Sequence, residues 1–121
     1  MSELPNSKSS HGITSLPSSE SLSFDSNKVG WQSRGTDGFL YKVLMEDASA
    51  GARTWLMKVE AGAFSKMHAH DDVEQIYVLE GTFYDQEKTY DAGEYIVRAP
   101  GVMHSAGSKG GAVVLLFYSP I

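Results

Sequence analysis

The sequence predicts an all-β domain, built as a sandwich or a barrel. From Val29 onward, short runs of β-branched, aromatic and aliphatic residues alternate with turn-forming clusters. Strands of this length at this spacing are typical of β-sandwiches and β-barrels. No segment has an apolar helical stripe long enough to compete with the strand pattern.

Length and composition predict one domain with a single core. The chain has 121 residues, of which 41% are hydrophobic and 21% charged, an ordinary balance for a globular domain. A net charge of −5 argues against nucleic acid or an anionic membrane surface as a partner. The absence of cysteine excludes disulfides, thiolate ligands and a cysteine nucleophile.

The first part of the chain differs from the rest. Residues 1–26 are rich in serine and poor in large apolar groups, so they are expected to form a tail or an arm ahead of a barrel domain at 27–121. The segment lacks the apolar core of a signal peptide, and no stretch approaches the ~20 apolar residues of a membrane span. A cytoplasmic protein is therefore expected.

Within the barrel segment, strands and turns are predicted in alternation. The strands are expected at 39–45, 54–59, 75–79, 95–97 and 113–118. Each turn contains glycine, and the turns are expected at 35–38, 48–51, 60–63, 91–94 and 107–111. The polar residues 85–88 are expected to form a further hairpin turn.

The stretch KMHAHDDVEQIYVLEG contains His68, His70 and Glu74. Residues i and i+2 of a strand point to the same face, so the two imidazoles would project side by side. A straight strand would carry Glu74 ~13 Å beyond His70, at ~3.3 Å per residue. If 71–73 form a turn, Glu74 instead faces the histidines across a strand pair, where Cβ atoms lie ~4.5–5.5 Å apart. His104, in DAGEYIVRAPGVMHS, could reach the same point from a third strand.

Taken singly, a histidine is more often a surface or core residue than a metal ligand, but the combined pattern resembles the cupin family. The spacing of the first cupin motif is matched by Gly62, His68, His70, Glu74 and Gly81. Residues 93–104 resemble the second motif, and the likeness extends over about residues 29–119. It is closest to small single-barrel cupins similar to the sensor domain of ChrR-type anti-sigma factors and to acetylacetone-cleaving dioxygenases. The segments that carry it are GARTWLMKVEAGA, YVLEGTFYDQ and DAGEYIVRAPGVMH.

The resemblance implies a cupin double-stranded β-helix, also called a jelly-roll barrel, that forms a homodimer and binds one divalent metal per chain. It implies His68, His70, Glu74 and His104 as the ligands. Such a set suits Fe(II), Mn, Ni, Co or Zn rather than Mg or Ca, which prefer oxygen ligands. Four protein ligands on an octahedral ion leave two positions free, which favours iron or manganese, with Fe(II) preferred.

Three functions are open to such a site. The resemblance favours a dioxygenase acting on a small oxygen-chelating substrate, such as a diketone or a catechol-like compound. A non-redox isomerase or lyase, in which the ion is a Lewis acid, is the second. A non-catalytic sensor that binds metal or ligand is the third. The sequence identifies no catalytic side chain.

Strand parity also predicts the surroundings of the site. Ile76 and Val78 share parity with Glu74 and are expected to form an apolar wall, while Tyr77 points away. Arg98 is expected to form a surface ion pair, with binding of a substrate carboxylate as the alternative.

Overall fold

The computed structural model describes residues 11–120, which contain ten β-strands and one turn of 3₁₀-helix. The strands are β1 (His11–Ile13), β2 (Gln32–Ser33), β3 (Phe39–Asp47), β4 (Ala52–Val59), β5 (Phe64–His68), β6 (Val73–Tyr84), β7 (Thr89–Asp91), β8 (Tyr95–Arg98), β9 (His104–Gly107) and β10 (Ala112–Ser119). The 3₁₀ turn is Ser26–Lys28. The all-β prediction is confirmed, and no helix within 11–120 could cross a bilayer.

The strands form two sheets that share β6. In the larger sheet, β3, β4, β10 and β6 are antiparallel neighbours, with β8 on the outer edge of β6. In the smaller sheet, β5 pairs with β9, and β7 pairs with the last residues of β6. Because sequential strands are often not neighbours, the connections cross between sheets, as in a jelly roll. The prediction of a jelly-roll fold is confirmed.

The core lies between the two sheets and follows the period of two that strands impose. Along β4, Trp55, Met57 and Val59 are buried, and the residues between them are only partly covered. Along β6, Ile76 and Val78 are buried while Tyr77 is 41% exposed. The parity expected for these residues is therefore confirmed.

The loop between β9 and β10 packs its backbone directly against β6. Ser108 is fully buried; its hydroxyl donates to the carbonyl of Thr82 at 2.6 Å and accepts from the N–H of Gly111 at 2.8 Å. Gly81 has φ of +72°, and a Cβ at this position would overlap the carbonyl oxygen of Gly111. Glycine is therefore required at residue 81 both by backbone conformation and by space.

The described part of the N-terminal segment lies along β3. β1 pairs in parallel with β3, with Ile13 opposite Met45. The N–H of Leu16 donates to the carboxylate of Asp47 at 2.8 Å. Residues 1–10 of the expected tail lie outside the described residues, and the domain boundary at residue 26 stays a prediction.

We expect Gly81→Ala to lower the free energy of unfolding by about 3 kcal/mol. The left-handed backbone costs ~1–2 kcal/mol for a residue with a Cβ, and the overlap with Gly111 adds an overpacking cost of similar size. The matched control is Gly93→Ala, since Gly93 has φ of +95° but open space around its Cβ position. Urea unfolding would measure both variants, and equal losses would show that the Gly111 contact carries no cost.

Candidate metal centre

Three imidazoles converge at one end of the barrel interior. His68 ends β5 and lies directly opposite His104, the first residue of β9. His70 follows two residues later, in the connection to β6. The ring centroids are 4.4 Å apart for His68 and His104, 5.0 Å for His68 and His70, and 5.2 Å for His70 and His104. One ring nitrogen from each lies within 4.8 Å of the others, close enough for one cation to be shared.

Glu74 reaches the same point from the opposite sheet. Its Oε2 lies 3.3 Å from Nε2 of His70, and its Oε1 lies 3.4 Å from Nε2 of His104. The expectation that Glu74 faces the histidines across a strand pair is wrong, because β5 pairs with β9 whereas the start of β6 pairs with β8 and β10. Residues 69–72 carry the chain from one sheet to the other. The carboxylate therefore approaches the imidazoles across the barrel interior.

Backbone carbonyls fix the orientation of two of the imidazoles. Nδ1 of His68 lies 2.8 Å from the carbonyl oxygen of Lys66, and Nδ1 of His104 lies 3.1 Å from that of Val102. A carbonyl can only accept, so Nδ1 is the protonated nitrogen in each neutral ring. The lone pair then lies on Nε2, which faces the other imidazoles. Histidines that bind metals commonly hold their second nitrogen in this way.

Burial also favours the neutral form of His70 and of His104. It lowers the pKa of both His70 and His104, and the nearby negative charge of Glu74 offsets only part of this effect. Near neutral pH both rings are therefore uncharged. Only the uncharged ring has a lone pair available for a metal.

These residues fit a divalent transition metal. Three imidazoles and one carboxylate, brought together at one point, form a donor set suited to first-row ions rather than to Mg or Ca. The residues that would hold the ion are His68, His70 and His104, with Glu74 beside them.

Sequence reasoning missed the partners of Glu74. The hydroxyl of Tyr118 donates to Oε2 at 2.7 Å, and Nε of Arg98 donates to Oε1 at 3.2 Å. Arg98 is 9% exposed and also bonds Asp85, so its expected place at the surface is wrong. The alternation along β8 could have revealed this, because Arg98 shares the inward parity of Ile96.

Tyr118 remains a hydrogen-bond donor over the whole physiological pH range. Burial raises the pKa of its phenol, and the negative charge of Glu74 raises it further. The hydroxyl therefore keeps its proton and holds Oε2 of the carboxylate, beside His70, whose ring centroid lies 5.2 Å from that of Tyr118.

A cavity of 340 Å³ lies against the four residues. Its walls are mostly apolar and include Phe39, Met57, Ile76, Phe83 and Leu116. Within the described chain, Lys66 is the one lysine or arginine that lines it. The site is therefore a polar cluster at the side of an apolar chamber.

The jelly roll, with two histidines from the smaller sheet, a third from the connection that follows β5 and a glutamate from the larger sheet, defines the chain as a cupin. Residues 19–121 match the family described as the ChrR cupin-like domain, and the chain belongs to that family.

Solved structures share the fold. An RmlC-like cupin from Shewanella frigidimarina is 25% identical, with a TM-score of 0.73 over 85% of this chain and 93% of that one. The anti-sigma factor ChrR of Rhodobacter sphaeroides, solved in complex with SigE, is 22% identical, with a TM-score of 0.64 over 75% of this chain and 50% of that one. An acetylacetone dioxygenase from Acinetobacter johnsonii is 14% identical, with a TM-score of 0.71 over 88% of this chain and 77% of that one. No curated protein matches the chain.

Proposed function

We propose that the protein is a metal-dependent oxidoreductase of the dioxygenase type. It binds one Fe(II) ion through His68, His70, Glu74 and His104 and acts on a small oxygen-chelating substrate, such as a diketone or a catechol-like compound. The observation that carries the proposal is the meeting of these four side chains at the wall of an apolar cavity. The fold shared with an acetylacetone dioxygenase supports it at the level of architecture.

The ion and the residues around it would have different roles in this reaction. A bound ferrous ion would supply Lewis acidity and redox chemistry with O₂. His70 and His104 offer lone pairs without first losing a proton, because burial has lowered the pKa of both. Tyr118 and Arg98 hold Glu74, so the carboxylate needs little rearrangement to face the ion. The apolar walls exclude water and bind the carbon body of the substrate.

The cavity favours a small substrate of low charge. Its volume lies near the lower end of the ~300–1,000 Å³ typical of ligand pockets. Arg98 is occupied by two carboxylates, so it is not free to bind a substrate carboxylate. A compound with two nearby oxygens and a short hydrocarbon body matches these walls better than a sugar or a polyanion.

A non-catalytic sensor is the second candidate. Membership of the ChrR cupin-like family favours it, and the related chain from Rhodobacter sphaeroides is an anti-sigma factor in complex with SigE. The same four residues would then hold a metal without turnover. A non-redox isomerase or lyase is the third candidate.

The homodimer implied by the resemblance also stays a prediction. Sedimentation equilibrium would test it by measuring whether the mass in solution is that of one 13.2 kDa chain or of two.

We expect His68→Ala, His70→Ala and His104→Ala each to lose bound metal, because each removes an imidazole donor. The metal binds only the folded chain, so wild type should gain about 2.7 kcal/mol of stability at a metal concentration one hundred times the Kd, and the variants should not. Elemental analysis and thermal unfolding with and without Fe(II) would measure both effects.

The matched control is His11→Ala, since His11 is the one histidine of the sequence outside the proposed ligand set and lies in β1. It should retain about one metal per chain. Glu74→Gln should weaken binding less than loss of an imidazole does. Near-stoichiometric metal in the three site variants would overturn the ligand assignment.

Oxygen consumption separates the candidate functions. We expect protein loaded anaerobically with Fe(II) to consume O₂ when a 1,3-diketone or a catechol is added, and Zn-loaded protein to consume none, because zinc has no redox chemistry. Ligand binding without oxygen uptake across the panel would instead support the sensor. Isomerisation supported by the zinc form would support the Lewis-acid alternative.

A further inference from the structure

Arg98 is a buried cation enclosed between two carboxylates. It ends β8 and lies directly opposite Glu74 in the antiparallel register with β6. Its Nε lies 3.2 Å from Oε1 of Glu74, and its Nη2 lies 3.0 Å from Oδ2 of Asp85. The exposed fractions of the Arg98, Glu74 and Asp85 side chains are 9%, 4% and 1%. A charge buried this deeply is stable only where its partners are well placed.

Asp85 anchors the far end of Arg98. It starts the turn between β6 and β7, and its Oδ1 accepts the N–H groups of Glu87 and Lys88 at 2.8 and 3.0 Å. Its Oδ2 accepts the hydroxyl of Tyr90 at 2.9 Å, beside the bond from Arg98. Burial opposes ionisation, but the hydrogen bonds outweigh it and lower the pKa of Asp85. The turn therefore presents a fixed anion to the guanidinium.

Glu74 accepts hydrogen bonds from two donors and also lies beside two of the imidazoles. Arg98 donates to Oε1 and Tyr118 donates to Oε2. The same two oxygens lie 3.4 Å from Nε2 of His104 and 3.3 Å from Nε2 of His70. Rotation of the carboxylate about its last bond would break both donor contacts, so the donors select this orientation.

We propose that Arg98, anchored by Asp85, is the positioning residue for Glu74. It keeps one carboxylate oxygen directed at the cation that the three imidazoles bind. This inference rests on the proposed metal site. Charge alone leads to a different expectation, because Glu74, Asp85 and Arg98 sum to one negative charge. Loss of the arginine charge would then strengthen the attraction for a divalent ion.

The test replaces Arg98 and measures Co(II) binding. Arg98→Lys keeps the positive charge but loses the planar fork that spans two carboxylates. We expect it to bind Co(II) about 10- to 100-fold more weakly, the usual cost of losing a partner of a metal ligand. Competition with a chelator gives the affinity. The visible absorption of bound Co(II) should change with it, since it reports the ligand geometry. Arg98→Gln should also bind more weakly.

Lys42→Gln is the matched control. Lys42 is also a buried cation, 8% exposed, but it lies on the outer face of β3 and donates to the carbonyl of Ser26 at 2.8 Å. The variant should lower stability while leaving Co(II) affinity and absorption at their wild-type values. Should the Arg98 variants not fold, Asp85→Asn leaves the arginine in place and loosens its anchor, with the same expected loss.

The outcomes separate the two proposals. Wild-type affinity and absorption in Arg98→Lys or Asp85→Asn, or tighter binding by Arg98→Gln, would overturn the positioning role and leave the metal site intact. A wild-type chain that binds no Co(II) would overturn the metal site, and the positioning role with it.

Discussion

The burial of the Glu74 carboxylate constrains much of this structure. Taking a carboxylate out of water costs several kcal/mol unless nearby groups replace its hydration. Arg98 and Tyr118 provide that replacement, so the chain can hold the charge in place before any cation arrives. The arginine in turn needs a second anion, because one carboxylate satisfies only part of its fork, and Asp85 supplies it. One buried charge thus accounts for a chain of partners that reaches from the site to the β6–β7 turn.

The division of the site between two sheets follows from the same fold. His68 and His104 lie on the paired strands β5 and β9, whereas Glu74 and Tyr118 lie on β6 and β10. A cation bound by all four proposed ligands would join the two sheets at one end of the barrel. Its binding energy would then stabilise the packing of the sheets against each other as well as the local loop.

The sequence predicts the face of a strand on which a residue lies more readily than it predicts which strands pair. Alternation placed Ile76 and Val78 inside and Tyr77 outside, since parity is a local property of a strand. Alternation does not tell which strands pair, and so the prediction puts Glu74 on a strand paired with that of the histidines, whereas Glu74 lies on the other sheet. The short strands β1, β2 and β7 have two or three residues each, too few to show a period. Asp85 was missed because a polar turn is usually exposed, whereas the bonds of Asp85 to Arg98 and Tyr90 lie inside the barrel.

The cavity bears on the choice between an enzyme and a simple metal-binding barrel. Protein interiors are closely packed, and apolar walls without a neighbour lose dispersion contacts. A barrel that only held a cation would be more stable if larger side chains filled the space, for example at Ala106, which lines the cavity and is 6% exposed. The open apolar volume beside the candidate ligands is therefore better explained by a bound organic molecule than by the metal alone. That requirement is shared by an oxidoreductase and by a ligand sensor, and it disfavours a purely structural metal site.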